Sequence, residues 1–144
     1  MRIVFMGTPD FSVECLKALV ASKHEIVGVF CQPDKPVGRK QELTAPDVKV
    51  EALKHNLEVY QPVSLRNGKG LEILGQLNPD LVVVVAYGKI LPDDFLSFPK
   101  YGCINVHASI LPKYRGASPI HYAVLNGDKI TGVTVQQMDS GIDT

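Results

Sequence analysis

The 144-residue sequence lacks a net charge, a long apolar run and a regular set of cysteines. Because 15 Lys and Arg residues balance 15 Asp and Glu residues, no overall field draws the chain to nucleic acid or to a membrane. No apolar run approaches a membrane span, and the first residues show no signal or transit character. The cysteines, Cys15, Cys31 and Cys103, are odd in number and widely spaced. They predict free thiols in the reducing cytoplasm, with neither a disulfide framework nor a metal site.

The turn after the first predicted strand lacks the glycine fingerprint of dinucleotide-binding domains. The strand covers Arg2–Met6, and Gly7 is the only glycine in the turn, so G-x-G-x-x-G is absent. Thr8 is a predicted N-cap and Pro9 a predicted first helical residue, in a helix that runs to about Ala21. A glycine before a helix can help to bind an anion, but many purely structural turns share this pattern.

Strand-like and helix-like segments alternate along the rest of the chain. The continuous β-branched run Leu81–Val85 is typical of a central parallel strand covered on both faces. The other predicted strands are Glu25–Phe30, Leu57–Tyr60, a strand that begins at Cys103, and Gly132–Met138. The other predicted helices are Asp47–His55, Gly70–Leu77, a short helix from Leu91, and Ser118–Asn126. This alternation predicts one α/β domain over residues 1–144, a doubly wound, mostly parallel sheet with helices on both faces.

Asn105 and His107 lie two residues apart on the strand that begins at Cys103. Since side chains at i and i+2 of a strand point to the same face, an amide and an imidazole would stand side by side at its carboxyl end. Open α/β sheets bind their ligands at that end. A histidine at a strand end is often structural, and an asparagine can simply start a turn, so the pair alone leaves both interpretations open.

Asp143 adds a carboxylate to this pair, because it follows the last predicted strand and could meet His107 across neighbouring strands. Asn105 could donate to a developing oxyanion, and His107 could act as a general acid, because the unperturbed pKa of an imidazole is near neutrality. A nearby Asp143 would raise the pKa of His107 and orient its ring. Ser109 would allow a Ser/His hydrolase on spacing alone, but no serine or cysteine lies in a nucleophile elbow. We therefore expect the nucleophile to arrive on the substrate.

The connection from Cys31 to Pro46 is long and polar, whereas most strand-to-helix loops have about two to six residues. Lys35, Arg39 and Lys40 make it locally basic in a neutral chain. Such a loop could be a solvated surface segment. It could also be a flap that grips a phosphate-bearing substrate.

Several ordered motifs resemble the formyltransferases that use 10-formyltetrahydrofolate. These are Asn105-Val106-His107, Ser109-Ile110-Leu111-Pro112 with Gly116, and the downstream Asp143. Further motifs narrow the resemblance to the amino-terminal catalytic domain of the methionyl-tRNA formyltransferase family: Gly7–Phe11, Gln32–Pro36 with Gly38 and Arg39, and Val85–Gly88. Ile110 replaces the usual leucine, a conservative change. Ala108 stands where the glycinamide ribonucleotide enzymes carry proline, which favours the tRNA enzymes.

The resemblance implies a fold, a reaction and a set of site residues. The α-amine of methionine on initiator tRNA would attack the formyl carbon, with Asn105 and His107 stabilising the oxyanion and Asp143 supporting His107. The residues implied in folate binding are Ser109, Ile110, Leu111, Pro112, Ala86, Tyr87, Gly88 and Ser140. The residues implied in tRNA contact are Lys35, Arg39 and Lys40. We also expect a monomer that holds no metal.

The resemblance further implies a longer family pattern, which continues beyond Asp143 with more of the sheet and a separate tRNA-binding domain. We therefore expect residues 1–144 alone to show weak or no catalysis. The acceptor could instead be glycinamide ribonucleotide, an amino sugar, or water in a formyltetrahydrofolate hydrolase. An interpretation of a different class is a non-catalytic α/β ligand-binding module.

Overall fold

A computed structural model of the protein describes residues 1–108 and 133–138. The helices in this part are α1 (Asp10–Val20), α2 (Asp47–Lys54), α3 (Lys69–Leu77) and α4 (Asp93–Ser97). The strands are β1 (Arg2–Gly7), β2 (Glu25–Phe30), β3 (Lys35–Val37), β4 (Glu42–Thr44), β5 (Val59–Tyr60), β6 (Leu81–Val85), β7 (Cys103–Ala108) and β8 (Val133–Gln137). None of these helices is long and apolar enough to cross a membrane. The predicted helix Ser118–Asn126 lies outside the described residues.

Six strands form one sheet in the order β5-β2-β1-β6-β7-β8, and its neighbours are parallel except β7 and β8. The predicted α/β fold with a mostly parallel sheet is confirmed. Every residue of β6 is buried, because this β-branched strand lies in the middle of the sheet between β1 and β7. Strand β5 is shorter than predicted, since only Val59 and Tyr60 pair with β2.

Apolar layers cover both faces of the sheet, as alternation along the central strands requires. Ile3 and Phe5 of β1 point to one face, where they belong to a buried cluster with Leu16 of α1 and Val48 of α2. Residues of opposite parity point to the other face. There, a second cluster combines Val4 and Met6 of β1 with Leu74 of α3 and Phe95 of α4. Helices therefore lie on both faces, as predicted.

Gly7 ends β1 at a point where the chain leaves no room for a side chain. A Cβ at this position would lie 2.8 Å from Ser12 Cβ and 2.8 Å from the backbone oxygen of Val85. The Ser12 hydroxyl donates a hydrogen bond to that same oxygen and ties α1 to the end of β6. Close approach between three elements therefore explains this glycine without an anion.

The start of α1 differs from the prediction. Helix α1 begins at Asp10, so Pro9 occupies the cap position in extended backbone and is not the first helical residue. Thr8 is not the cap, because its hydroxyl donates to the carbonyl oxygen of Tyr87, 2.8 Å away. That bond bridges the turn after β1 to the loop after β6. The Thr8 hydroxyl therefore makes a tertiary hydrogen bond in place of the helix cap that the local sequence predicts.

The sequence predicts a long polar connection without strands after Cys31. The structure instead contains a two-stranded antiparallel ribbon there. In this ribbon, Lys35 of β3 pairs with Thr44 of β4, and Val37 pairs with Glu42. Gly38 follows β3 with a φ of 74°, a conformation that suits glycine in a tight turn. We call residues 35–44 the basic hairpin, because Lys35, Arg39 and Lys40 belong to it.

Candidate active site

Two polar side chains interrupt strand β7 near its carboxyl end. Asn105 lies opposite Val84, and His107 is two residues farther along on the same face. Both residues are half-buried, whereas Ile104 and Val106, on the opposite face, are buried. The predicted juxtaposition of an amide and an imidazole is therefore present, at the edge of the sheet where β6 also ends.

The loop Ala86–Gly88 leaves the carboxyl end of β6 beside this pair. Ala86 has a φ of 53° and Gly88 a φ of 99°, so both adopt left-handed backbone, which is uncommon for alanine. Both are exposed, whereas Tyr87 between them is buried. The Tyr87 carbonyl oxygen accepts hydrogen bonds from Thr8 Oγ1 at 2.8 Å and from Gln32 Nε2 at 2.9 Å. These bonds fix the loop, which presents its backbone at Ala86 and Gly88.

The Tyr87 side chain points into the apolar cluster under the loop. It is 1% exposed, and its hydroxyl has no hydrogen-bond partner among the described residues. Burial, with a smaller contribution from Cys31, raises the pKa of the Tyr87 phenol to about 12. Tyr87 is thus a neutral anchor, and a ligand at this loop would meet backbone groups.

The cations of the basic hairpin are exposed. The hairpin leaves the carboxyl end of β2, which lies three strands from β7 in the sheet. At about 4.8 Å per strand, the root of the hairpin is roughly 14 Å across the sheet from β7. The hairpin therefore rises from the same edge as the Asn105–His107 pair, without belonging to it.

Several predicted site residues lie outside the described part of the chain: Asp143, Ser109, Ile110, Leu111, Pro112 and Ser140. Asp143 was predicted to follow a strand that neighbours β7; that strand, β8, is a neighbour of β7 but does not end at the same edge of the sheet. Strands β7 and β8 are neighbours but antiparallel, so Gln137, at the end of β8, lies opposite Ile104. The alternation of strands and helices does not reveal this reversal.

A polar cluster at the base of the basic hairpin was not predicted. Lys49 Nζ lies 3.2 Å from Asp34 Oδ1, and Gln61 Nε2 donates to the same oxygen at 2.7 Å. Gln61 Nε2 also donates to the Gln32 carbonyl oxygen at 3.1 Å. The hydrogen bond from Gln61, then that from Lys49, holds the pKa of Asp34 below its usual value. These residues come from separate elements, so spacing could not group them.

A shallow cavity of about 330 Å³ lies just beyond the loop Ala86–Gly88. It is lined by Leu65, Arg66, Ile90, Leu91, Pro92, Asp93 and Asp94. Ile90 is 78% exposed, so this wall offers apolar surface next to the polar loop. A volume of this size is at the lower end of the range for small-molecule sites.

Comparisons with known proteins agree on one family. The sequence profile described as "Formyl transferase" matches residues 1–144. The chain is 57% identical over 143 residues to a methionyl-tRNA formyltransferase of Alkaliphilus oremlandii. That match covers 99% of this chain and 46% of the relative. It is 56% identical over 144 residues to a methionyl-tRNA formyltransferase of Hydrogenovibrio crunogenus. That match covers 100% of this chain and 46% of the relative. The chain thus spans about half the length of these curated relatives.

Solved structures with the same fold carry related names. A phosphoribosylglycinamide formyltransferase from Bacillus halodurans gives a TM-score of 0.67 at 21% identity, covering 100% of this chain and 75% of that one. A formyltetrahydrofolate deformylase from Pseudomonas syringae gives a TM-score of 0.61 at 25% identity. The match covers 99% of this chain and 47% of that one. From the profile match over its full length, together with this fold, the chain belongs to the formyl transferase family.

Proposed function

We propose that the chain is the catalytic part of a methionyl-tRNA formyltransferase. It would transfer a formyl group from 10-formyltetrahydrofolate to the α-amine of methionine on initiator tRNA. The observation that carries the proposal is the Asn105–His107 pair at the carboxyl end of β7, beside the exposed backbone of Ala86 and Gly88. The curated relatives at 51–57% identity that bear this name support the choice of reaction.

The reaction forms a bond between the amine nitrogen and the formyl carbon and breaks the bond between that carbon and N10 of the folate. Negative charge develops on the formyl oxygen as the amine attacks. The Asn105 amide and a protonated His107 would donate hydrogen bonds to that oxygen, and donors fixed in advance stabilise it most effectively. One amine proton must leave and N10 must gain one, and the His107 imidazole, which can both accept and donate a proton, would carry this exchange.

Asp143 would support His107 by favouring its protonated form. Strand β8 ends opposite Ile104, and Asp143 is six residues beyond that end in the sequence. Six extended residues reach about 20 Å, and His107 lies only about 10 Å along β7 from Ile104. The antiparallel direction of β8 is therefore compatible with this role.

The folate would lie at the loop Ala86–Gly88, which offers the chemistry that a pterin requires. Exposed peptide groups flank a buried side chain there, and two hydrogen bonds to the Tyr87 carbonyl hold the backbone in place. Ser109, Ile110, Leu111, Pro112 and Ser140 would complete the folate site. The acceptor tRNA would contact Lys35, Arg39 and Lys40, because exposed cations on a projecting ribbon suit a phosphate backbone.

Thermal unfolding of the chain with added ligand tests the folate site. A ligand that binds only the native state raises the melting temperature. We expect a stable 10-formyltetrahydrofolate analogue to raise it with saturable dependence on concentration, and NAD and ATP to leave it unchanged. Asn105→Ala should weaken the stabilisation, whereas Asn56→Ala, at an exposed turn, should not. A shift produced by NAD or ATP but not by the folate would favour a different ligand-binding module.

A further inference from the structure

Among residues 1–108 and 133–138, almost nothing packs against the basic hairpin to hold it in place. All six residues of β3 and β4 are exposed, including Leu43 at 73%. An isolated two-stranded ribbon is marginally stable in water. The direction in which the hairpin projects must therefore be set where it joins the rest of the domain.

An ion pair closes the neck of the hairpin. Asp34 immediately precedes β3, and Lys49 lies in the first turn of α2, shortly after β4. Lys49 Nζ lies 3.2 Å from Asp34 Oδ1 and 3.5 Å from Oδ2. The two side chains are 25% and 33% exposed, so this pair is more sheltered than the exposed pair between Lys17 and Glu14.

Gln61 connects this neck to the main sheet. Gln61 directly follows β5 at the edge of the sheet, and its amide nitrogen donates to Asp34 Oδ1 and to the Gln32 carbonyl. The Gln32 side chain in turn donates to the Tyr87 carbonyl in the loop after β6. A continuous set of hydrogen bonds therefore runs from the loop proposed to hold the folate to the root of the basic hairpin.

We propose that Asp34, Lys49 and Gln61 form a clamp that positions the basic hairpin for the acceptor tRNA. The clamp residues act through the hairpin, so they are positioning residues that set acceptor affinity without reacting. This inference rests on the proposed function, because it takes the hairpin as the tRNA contact. By its charge alone, Asp34 would weaken tRNA binding, because it places a negative charge beside Lys35.

Steady-state kinetics of the intact protein separate positioning from simple electrostatics. Removing the negative charge in Asp34→Ala should tighten tRNA binding if charge alone mattered. The clamp predicts a rise of about three- to tenfold in KM for methionyl-tRNA, with KM for the formyl donor and kcat within about twofold. Gln61→Met, which changes no charge, should behave in the same way. A lower acceptor KM in Asp34→Ala, or equal effects on both substrates, would overturn the proposal.

A combined variant tests whether the clamp acts through the hairpin cations. In a protein with Lys35, Arg39 and Lys40 replaced by Gln, Gln61→Met should raise the acceptor KM by less than about twofold further. A full additional effect would overturn the proposal. If the triple replacement leaves the acceptor KM unchanged, the hairpin is not the tRNA contact and the clamp fails, although formyl transfer stands. Absence of formyl transfer by the intact protein, as distinct from residues 1–144 alone, would instead overturn the proposed function.

Hydrogen exchange supplies a readout that does not depend on activity. Asp34→Ala should speed amide exchange across residues 35–44 and leave α1 unchanged, because only the neck is released. Glu14→Gln, which breaks the exposed pair with Lys17 on α1, is the matched control and should alter neither the hairpin nor the acceptor KM. Unchanged exchange in the hairpin of Asp34→Ala would contradict the clamp.

Discussion

The Gln32 side-chain amide donates a hydrogen bond to the carbonyl oxygen of Tyr87, 2.9 Å away, and joins the segment after β2 to the loop after β6. Thr8 donates to the same oxygen from the turn after β1. Three turns at the carboxyl edge of the sheet therefore converge on one backbone atom. The convergence explains how Ala86 is kept in left-handed backbone, which most residues avoid.

Replacing Gln32 with alanine should lower the free energy of unfolding by about 1–2 kcal/mol. The change removes a buried hydrogen bond, and the Tyr87 carbonyl keeps Thr8 as its other donor. Urea denaturation measures the loss. Gln41→Ala is the control, because Gln41 is exposed and its side-chain amide donates within its own turn, to the Gly38 carbonyl oxygen. Equal losses for the two variants would contradict the role given to Gln32.

Replacing Gly7 with alanine should lower the free energy of unfolding by about 1–3 kcal/mol, because the new methyl group would meet the Val85 backbone oxygen. Gly75→Ala is the matched control. Gly75 lies in α3, and no atom of the described residues lies within 4 Å of its Cβ position, so alanine should stabilise by about 0.5–1 kcal/mol. Thermal unfolding of both variants tests the contrast. Stabilisation by Gly7→Ala would show that the approach of β1 to β6 is not tight.

Replacing Tyr87 with phenylalanine should stabilise the domain or leave it unchanged. The hydroxyl is buried without a partner in the described part of the chain, and an unpaired buried hydroxyl costs about 1–3 kcal/mol. We expect a gain of about 1 kcal/mol in urea denaturation. Tyr101→Phe, at an exposed tyrosine, should change stability by less than about 0.5 kcal/mol. A clear loss of stability in Tyr87→Phe would show that the hydroxyl is satisfied.

Asp34 should make part of the free energy of unfolding depend on pH in the acidic range. Its folded pKa is lowered, first by the hydrogen bond from Gln61 and then by Lys49. Its contribution is therefore complete above the unfolded pKa near 4 and is lost as pH falls through the lower folded pKa. We expect Asp34→Asn to flatten the loss of stability below about pH 4 in denaturation at a series of pH values. Glu14→Gln serves as the control, and identical profiles for Asp34→Asn and the unmodified protein would contradict the ion pair.

The central strands of the sheet could be predicted because their own residues are apolar and β-branched. Leu81–Val85 is a continuous β-branched run, and Glu25–Phe30 matches the observed strand end to end. The basic hairpin could not be predicted in this way. Its strands have three exposed residues each, and Pro36 and Gly38 are typical of loops, so no hydrophobic period marks them.

The site was predictable only where it depends on spacing within one strand. Asn105 and His107 share a face because they are two residues apart. The pairing of Asp34 with Lys49 and Gln61 depends on how separate elements pack, and a single sequence does not encode such contacts in its spacing. The direction of β8 and the bond from Thr8 to Tyr87 were missed for the same reason.

The most direct test of the proposed function is formylation of initiator methionyl-tRNA by the intact protein and its His107→Ala variant. The unmodified protein should formylate the α-amine with 10-formyltetrahydrofolate. The variant should lose about 100-fold or more in kcat while remaining folded, because the oxyanion loses a donor and the proton transfer loses its carrier. His55→Ala, at the carboxyl end of α2, should retain activity. Full activity of His107→Ala, or no formyl transfer by a folded, intact protein that binds folate, would contradict the proposed function.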